Sequence, residues 1–153
     1  MVRANNMFGI RQFPEKLVPH CIMALLAGDK IGLHGDGSHM RCYLSAQDFA
    51  SALVVLARQG VPGEIYNIGS AEEYSNREVA KMICDAFGAS FDGSVRFVQD
   101  RPFNDRRYSL SWDKVARLGW RPRQNLRDHI PALVSWYRTN LDAIRKRQAL
   151  MTP

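Results

Sequence analysis

The sequence predicts a mixed α/β unit with a small sheet, and three observations lead there. Four stretches carry apolar residues at helical spacing behind a cap or a glycine stop, six short β-prone runs alternate with them, and none of those runs is a long alternating strand. Strands this short pair poorly into a full sheet of their own, so some are expected to complete a larger one. With 153 residues and 46% hydrophobic content, the chain is long enough for one sizeable core.

The first helix is expected over Glu15 to Ala27, where Leu17, Val18, Cys21, Ile22, Leu25 and Leu26 form a one-sided stripe ended by Gly28. Pro14 and Pro19 make it start late or bend early. Ser45-Ala-Gln-Asp48 is a near capping box for a second helix carrying Phe49, Leu53, Leu56 and Ala57 and stopped by Gly60. Ser75-Asn-Arg-Glu78 is a full capping box, and the helix behind it runs through Val79, Met82, Ile83, Ala86 and Phe87 to Gly88. The last helix is expected from about Asn125 to Arg147, with Pro131 either as its true first residue or as a kink in its first turn. The strand candidates are Val2 to Ala4, Ile31 to His34, Cys42 to Leu44, Ile65 to Ile68, Val95 to Val98 and Tyr108 to Leu110. A single domain over residues 1–145 is expected, with 146–153 as a frayed tail.

Composition excludes several classes. The apolar runs, such as Ala52 to Ala57, are too short to cross a bilayer, and no secretory signal is visible at the N-terminus. Cys21, Cys42 and Cys84 are odd in number and widely spaced, which argues against a disulfide framework or zinc site and for a cytoplasmic location. The net charge of +6 would suit nucleic acid, but the basic residues are scattered without interleaved aromatics, so no nucleic-acid or membrane partner is expected.

The residues that could carry chemistry lie in loops and at strand ends. Gly32-Leu-His-Gly35-Asp-Gly37 lacks the spacing of a dinucleotide loop and is followed by a strand, so it reads as a hairpin-like turn that delivers Arg41 into a cleft. Arginine suits a diphosphate because its planar fork donates two parallel hydrogen bonds and keeps its charge. Arg101, held by Pro102 after a strand, is the second such fork; Arg106 and Arg107 read as surface ion pairs. Asn6, Asn67 and Asn76 can donate an amide to a ligand oxygen. His20, His34, His39 and His129 have no metal-like spacing and read as structural, and no carboxylate pair has the look of a catalytic acid and base.

Taken in order, the run from Arg3 to Leu17, the turn from Gly35 to Arg41, Gly63-Glu-Ile-Tyr-Asn-Ile-Gly69, Asp100 to Tyr108 and Leu118-Gly-Trp120 resemble the C-terminal part of nucleoside-diphosphate-glucose 4,6-dehydratases, over about Val2 to Asn140. The resemblance implies the small mixed α/β substrate-binding domain of an extended short-chain dehydrogenase/reductase, without its Rossmann core. Residue by residue it makes Asn6 a phosphate contact and Lys16 with Leu17 lining of the substrate cleft. It sets Gly32, Leu33 and His34 against the base, makes Arg41 and Arg101 a diphosphate clamp, and makes Asn76 a nucleotide contact. Asn104 stands where bacterial dTDP-glucose enzymes carry histidine, and the Arg-Pro-Phe-Asn-Asp wording is closer to eukaryotic UDP-glucose enzymes, so the base stays open between thymine and uracil.

In that family bound NAD oxidises the sugar at C4, water is eliminated across C5 and C6, and hydride returns to C6. The residues for those steps are implied to lie in an N-terminal half, since no tyrosine here has lysine four positions later. The expected partners are a nucleotide sugar, dTDP- or UDP-glucose, and either that Rossmann half or a second copy of the chain. A related nucleotide-sugar epimerase or decarboxylase, or a non-catalytic nucleotide-sugar-binding domain, are the alternatives.

Overall fold

Strand β4 (Met40–Ser45) is the hub of the computed structural model, which describes residues 1–100 and 106–151. Its second half pairs in parallel with β2 (Asn6–Phe8), and its first half pairs antiparallel with β6 (Glu73–Ser75) and parallel with β8 (Arg107–Tyr108). Two further two-stranded parallel ladders stand beside it. One joins β1 (Val2–Ala4) to β5 (Tyr66–Ile68), the other β3 (Ile31–His34) to β7 (Val95–Val98).

Seven helices connect these strands among the described residues: α1 (Leu17–Leu26), α2 (Ala46–Gln59), α3 (Asn76–Phe87), α4 (Phe91–Ser94), α5 (Asp113–Ala116), α6 (Leu126–Thr139) and α7 (Leu141–Met151). The larger apolar cluster joins α1, α3 and α6 to β3 and β7 through Cys21, Ile22, Ile31, Leu33, Ile83, Leu126 and Tyr137. A smaller one joins α2 and α5 to β4 and β5 through Leu44, Ala52, Ile68, Val115 and Trp120. Trp120 is buried there because its indole N–H has a partner, the Ser51 hydroxyl at 2.9 Å, which explains the tryptophan of the Leu-Gly-Trp element.

Local chemistry accounts for the helix starts. Ser75 caps α3 with both halves of the capping box formed, as its spacing to Glu78 requires. Ser45 caps α2, accepting from the Gln47 N–H, but the box stays open. Asp48 turns instead to the backbone N–H groups of Arg123 and Gln124, at 3.0 and 2.9 Å. Pro19 falls in the first turn of α1, where its missing N–H has no intrahelical acceptor.

Three expectations need correction. The Gly32–Gly37 segment is not a hairpin: β3 pairs with β7 and β4 with β2, β6 and β8, so the turn carries the chain from one ladder to another. The last helix is two. Asn140 ends α6, its side chain donating to the Trp136 carbonyl at 2.8 Å, and α7 follows. Pro131 is neither a start nor a first-turn kink but an interior residue of α6. Asn125 caps that helix by accepting from the Asp128 N–H, and a Glu72 carboxylate oxygen accepts from the Leu126 N–H, so the start is fixed five residues before the proline. Residues 146–151 belong to the second half of α7.

Strands β2 and β6 and helices α4 and α5 had no signal in the sequence reading, because three or four residues are too few to show a period.

Candidate functional site

Register brings the site together. Asn6 is opposite Tyr43 in the β2–β4 ladder, so the two side chains leave the sheet on the same side, and Arg41, two residues before Tyr43, shares that face. Met40 is opposite Ser75 in the antiparallel β4–β6 ladder, which sets Asn76, the first residue of α3, beside His39, two residues before Arg41 on the strand. On β3 the alternation buries Ile31 and Leu33 and turns Gly32 and His34 the other way. The N-terminal end of α1 supplies Lys16 and Leu17.

These elements enclose a cleft of about 560 Å³ lined by Asn6, Lys16, Leu17, Gly32, His34, Arg41 and Asn76, together with Glu15, His20 and Tyr43.

The turn between β3 and β4 is held so that Arg41 is delivered at a fixed position. Gly37 has φ 76°, and a Cβ there would lie 3.2 Å from that of Arg77 and 3.3 Å from a Leu33 methyl, so both conformation and space call for glycine. The Arg77 N–H donates to the Gly37 carbonyl and the Asn76 N–H to the His39 carbonyl, latching the turn to the start of α3. Arg41 itself donates from Nη1 to the Met40 carbonyl at 2.7 Å, which orients its fork.

Leu33, expected against the base, is 1% exposed and belongs to the core, so its side chain does not reach the cleft. Arg101 and Asn104 lie outside the described residues. Asn67 is not in the cleft; its amide donates to the Ser111 carbonyl. Arg107 forms a two-pronged ion pair with Glu73, both contacts at 2.8 Å, as a surface role predicts.

Sequence reasoning missed His20, Tyr43 and Glu15 and read His34 only as structural before the resemblance was considered. Two signals could have found them: His20 is four residues after Lys16 on the helix, and Tyr43 two residues after Arg41 on the strand. His20 borders the cleft, and its pKa is held below the ordinary imidazole value, first by lost hydration and second by the nearby His34. His34 Nδ1 lies 2.9 Å from the Gln99 carbonyl; a carbonyl only accepts, so Nδ1 carries the proton and Nε2 is the acceptor of the neutral ring.

A lysine, an arginine, two histidines and two asparagines around one cleft, with the single carboxylate of Glu15, make a basin for a ligand that is anionic in one part and hydrogen-bonding in another. The architecture around it is that of the mixed α/β part of an extended short-chain dehydrogenase/reductase.

Residues 1–69 match the NAD dependent epimerase/dehydratase family. The chain is 41% identical over 138 residues to the trifunctional UDP-glucose 4,6-dehydratase/UDP-4-keto-6-deoxy-D-glucose 3,5-epimerase/UDP-4-keto-L-rhamnose-reductase of Arabidopsis thaliana, covering 90% of this chain and 21% of the plant protein. It is 39% identical over 153 residues to a dTDP-glucose 4,6-dehydratase of Streptomyces antibioticus, covering 97% of this chain and 45% of that enzyme. The crystal structure of the dTDP-glucose 4,6-dehydratase of Streptomyces venezuelae, with NAD and TDP bound, superposes with a TM-score of 0.87 at 39% identity over 92% of this chain and 44% of that one. Over about nine-tenths of its length the chain is thus similar to 4,6-dehydratases, and its first 69 residues match the model of the family that contains them. It spans less than half the length of these relatives.

Proposed function

We propose that this chain is the nucleotide-sugar-binding portion of an NAD-dependent dTDP- or UDP-glucose 4,6-dehydratase, which removes water to give the 4-keto-6-deoxyglucose nucleotide. The observation that carries the reading is the convergence of Asn6, Lys16, Arg41 and Asn76, from four separate elements, on one cleft. Lys16 and Arg41 neutralise a diphosphate. Asn6 and Asn76 bind ligand oxygens, and Gly32 with His34 forms the wall for the base.

NAD would supply hydride exchange at C4 in the whole enzyme, but the described residues do not fit it. The glycine-rich segment here joins two strands and opens no helix toward a pyrophosphate. The chain's own contribution is to hold the nucleotide and present the sugar. Strand β1 pairs only with β5 among the described residues and leaves Val2 39% exposed, so its free edge suits the parallel strands of a Rossmann half, in the same enzyme or a second copy. No helix of the described residues is long and apolar enough to cross a membrane, and the three cysteines are buried free thiols; both support a cytoplasmic enzyme.

Titration calorimetry of this chain with UDP and with dTDP tests the reading. Arg41→Ala should weaken whichever diphosphate binds by roughly 10- to 150-fold, the equivalent of about 1.5–3 kcal/mol for hydrogen bonds to a charged group. Unchanged affinity would refute the assignment, and the preferred diphosphate settles the base.

A further inference from the structure

We infer that Asn5 and Gln12 form a hydroxyl-reading pair that receives the glycosyl group of the ligand, in a chamber beyond Lys16. This rests on the cleft being a nucleotide-sugar site and goes further, by naming what selects the sugar.

The two amides line one cavity of about 330 Å³, which shares Asn6, Lys16, Leu17 and Tyr43 with the nucleotide cleft and so continues it. Asn5 is 4% exposed, and its orientation is fixed: Oδ1 accepts from the Ser70 N–H at 3.2 Å, which leaves Nδ2 as the donor still to be paired. Gly69 makes this packing possible, because a Cβ there would lie 2.2 Å from Asn5 Oδ1. The last residue of the Tyr-Asn-Ile-Gly element thus has its reason in Asn5. Gln12 is fixed in the opposite sense: Nε2 donates to the Met7 carbonyl at 2.6 Å, leaving Oε1 as acceptor.

Both remaining atoms, Asn5 Nδ2 and Gln12 Oε1, are buried and have no hydrogen-bond partner among the described residues. Buried polar atoms are ordinarily paired, so an unpaired donor and an unpaired acceptor on two residues that line one cavity point to the chemistry of what enters it. A sugar hydroxyl both accepts and donates, and hydroxyls match the two atoms together. A phosphate at neutral pH only accepts; it would face Gln12 Oε1 with like polarity and is better held by Lys16 and Arg41. The sugar therefore takes the chamber and the diphosphate takes the basic cleft.

The test measures calorimetric Kd values of the unmodified chain, Gln12→Leu and Asn5→Asp for UDP and for UDP-glucose, with the dTDP pair in parallel. Gln12→Leu removes the acceptor, and Asn5→Asp keeps the oxygen facing Ser70 while removing the donor. Each variant should lower the ratio Kd(UDP)/Kd(UDP-glucose) on the order of tenfold while changing the Kd of UDP less than twofold, with circular dichroism showing that it is folded. An unchanged ratio, or equal loss for both ligands, overturns the inference and leaves the nucleotide-binding reading standing. If the unmodified chain binds neither diphosphate, the nucleotide-site reading fails and takes the inference with it.

Discussion

Asp48→Ala should lower the melting temperature of this chain by about 6–12 °C, a cost that follows from where the carboxylate is held. Asp48 is 4% exposed in the first turn of α2, and its Oδ2 accepts from the backbone N–H groups of Arg123 and Gln124, some 75 residues later. A hydrogen bond to a charged group contributes about 1.5–3 kcal/mol. The two here share one oxygen, and the exposed Arg123 lets that part of the loop rehydrate, so the sum is nearer about 3 than about 6 kcal/mol. At this chain length each 1 kcal/mol moves the melting temperature by about 2–4 °C. Asp48→Asn keeps one carbonyl oxygen for both donors and loses only the charge, so it should cost about half as much. Thermal melts by circular dichroism at two protein concentrations give both numbers. A shift under about 2 °C for Asp48→Ala, or equal shifts for the two variants, would refute the account of this carboxylate as an acceptor for two loop amides.

Ser75→Ala should destabilise the chain by about 1 kcal/mol, read as a lower urea midpoint, because it removes the cap of α3. The same box sets a pH dependence. Bonds from the Ser75 backbone N–H and hydroxyl hold the Glu78 carboxyl below its usual 4.5, so its stabilising contribution is full above that pH and is lost as pH falls through the lower folded-state value. Urea midpoints at pH 6 and pH 3 should therefore differ by less in Ser75→Ala than in the unmodified chain. His20, by contrast, resists protonation in the folded chain, so His20→Asn should flatten a loss of stability that sets in as pH falls below about 6.5. An anionic ligand favours its protonated form. Calorimetry should accordingly find UDP-glucose binding tighter at pH 5.5 than at pH 7.5, with His20→Asn weakening that trend.

Strong local signals were legible without a fold. The Ser75–Glu78 box, the stop at Gly88 and the strands at Ile31–His34 and Val95–Val98 stand where the sequence sets them, since caps and apolar alternation act within a few residues. Where two local signals competed, the reading failed. Asp48 is spaced to close a capping box, yet the loop at Arg123 offers its carboxylate two buried donors, and Pro131 argues for a helix boundary that Asn125 and Glu72 override. Lys16, Arg41, Asn6 and Asn76 were found as residue types suited to phosphate. That they share a cleft, and that Leu33 does not reach it, follows from strand register.

By itself, then, the sequence determined which residues could bind an anion, where most helices begin, and which family the wording of its motifs resembles. Only the tertiary structure decided that the glycine turn is no hairpin, that His20 and Tyr43 join the site, and that Asn5 and Gln12, which line one chamber, keep a donor and an acceptor unpaired among the described residues. The reason is the range of the forces involved. Caps and periodicity are set by neighbours in the chain, whereas pairing partners, burial and the satisfaction of polar atoms depend on residues tens of positions away, brought near by packing alone.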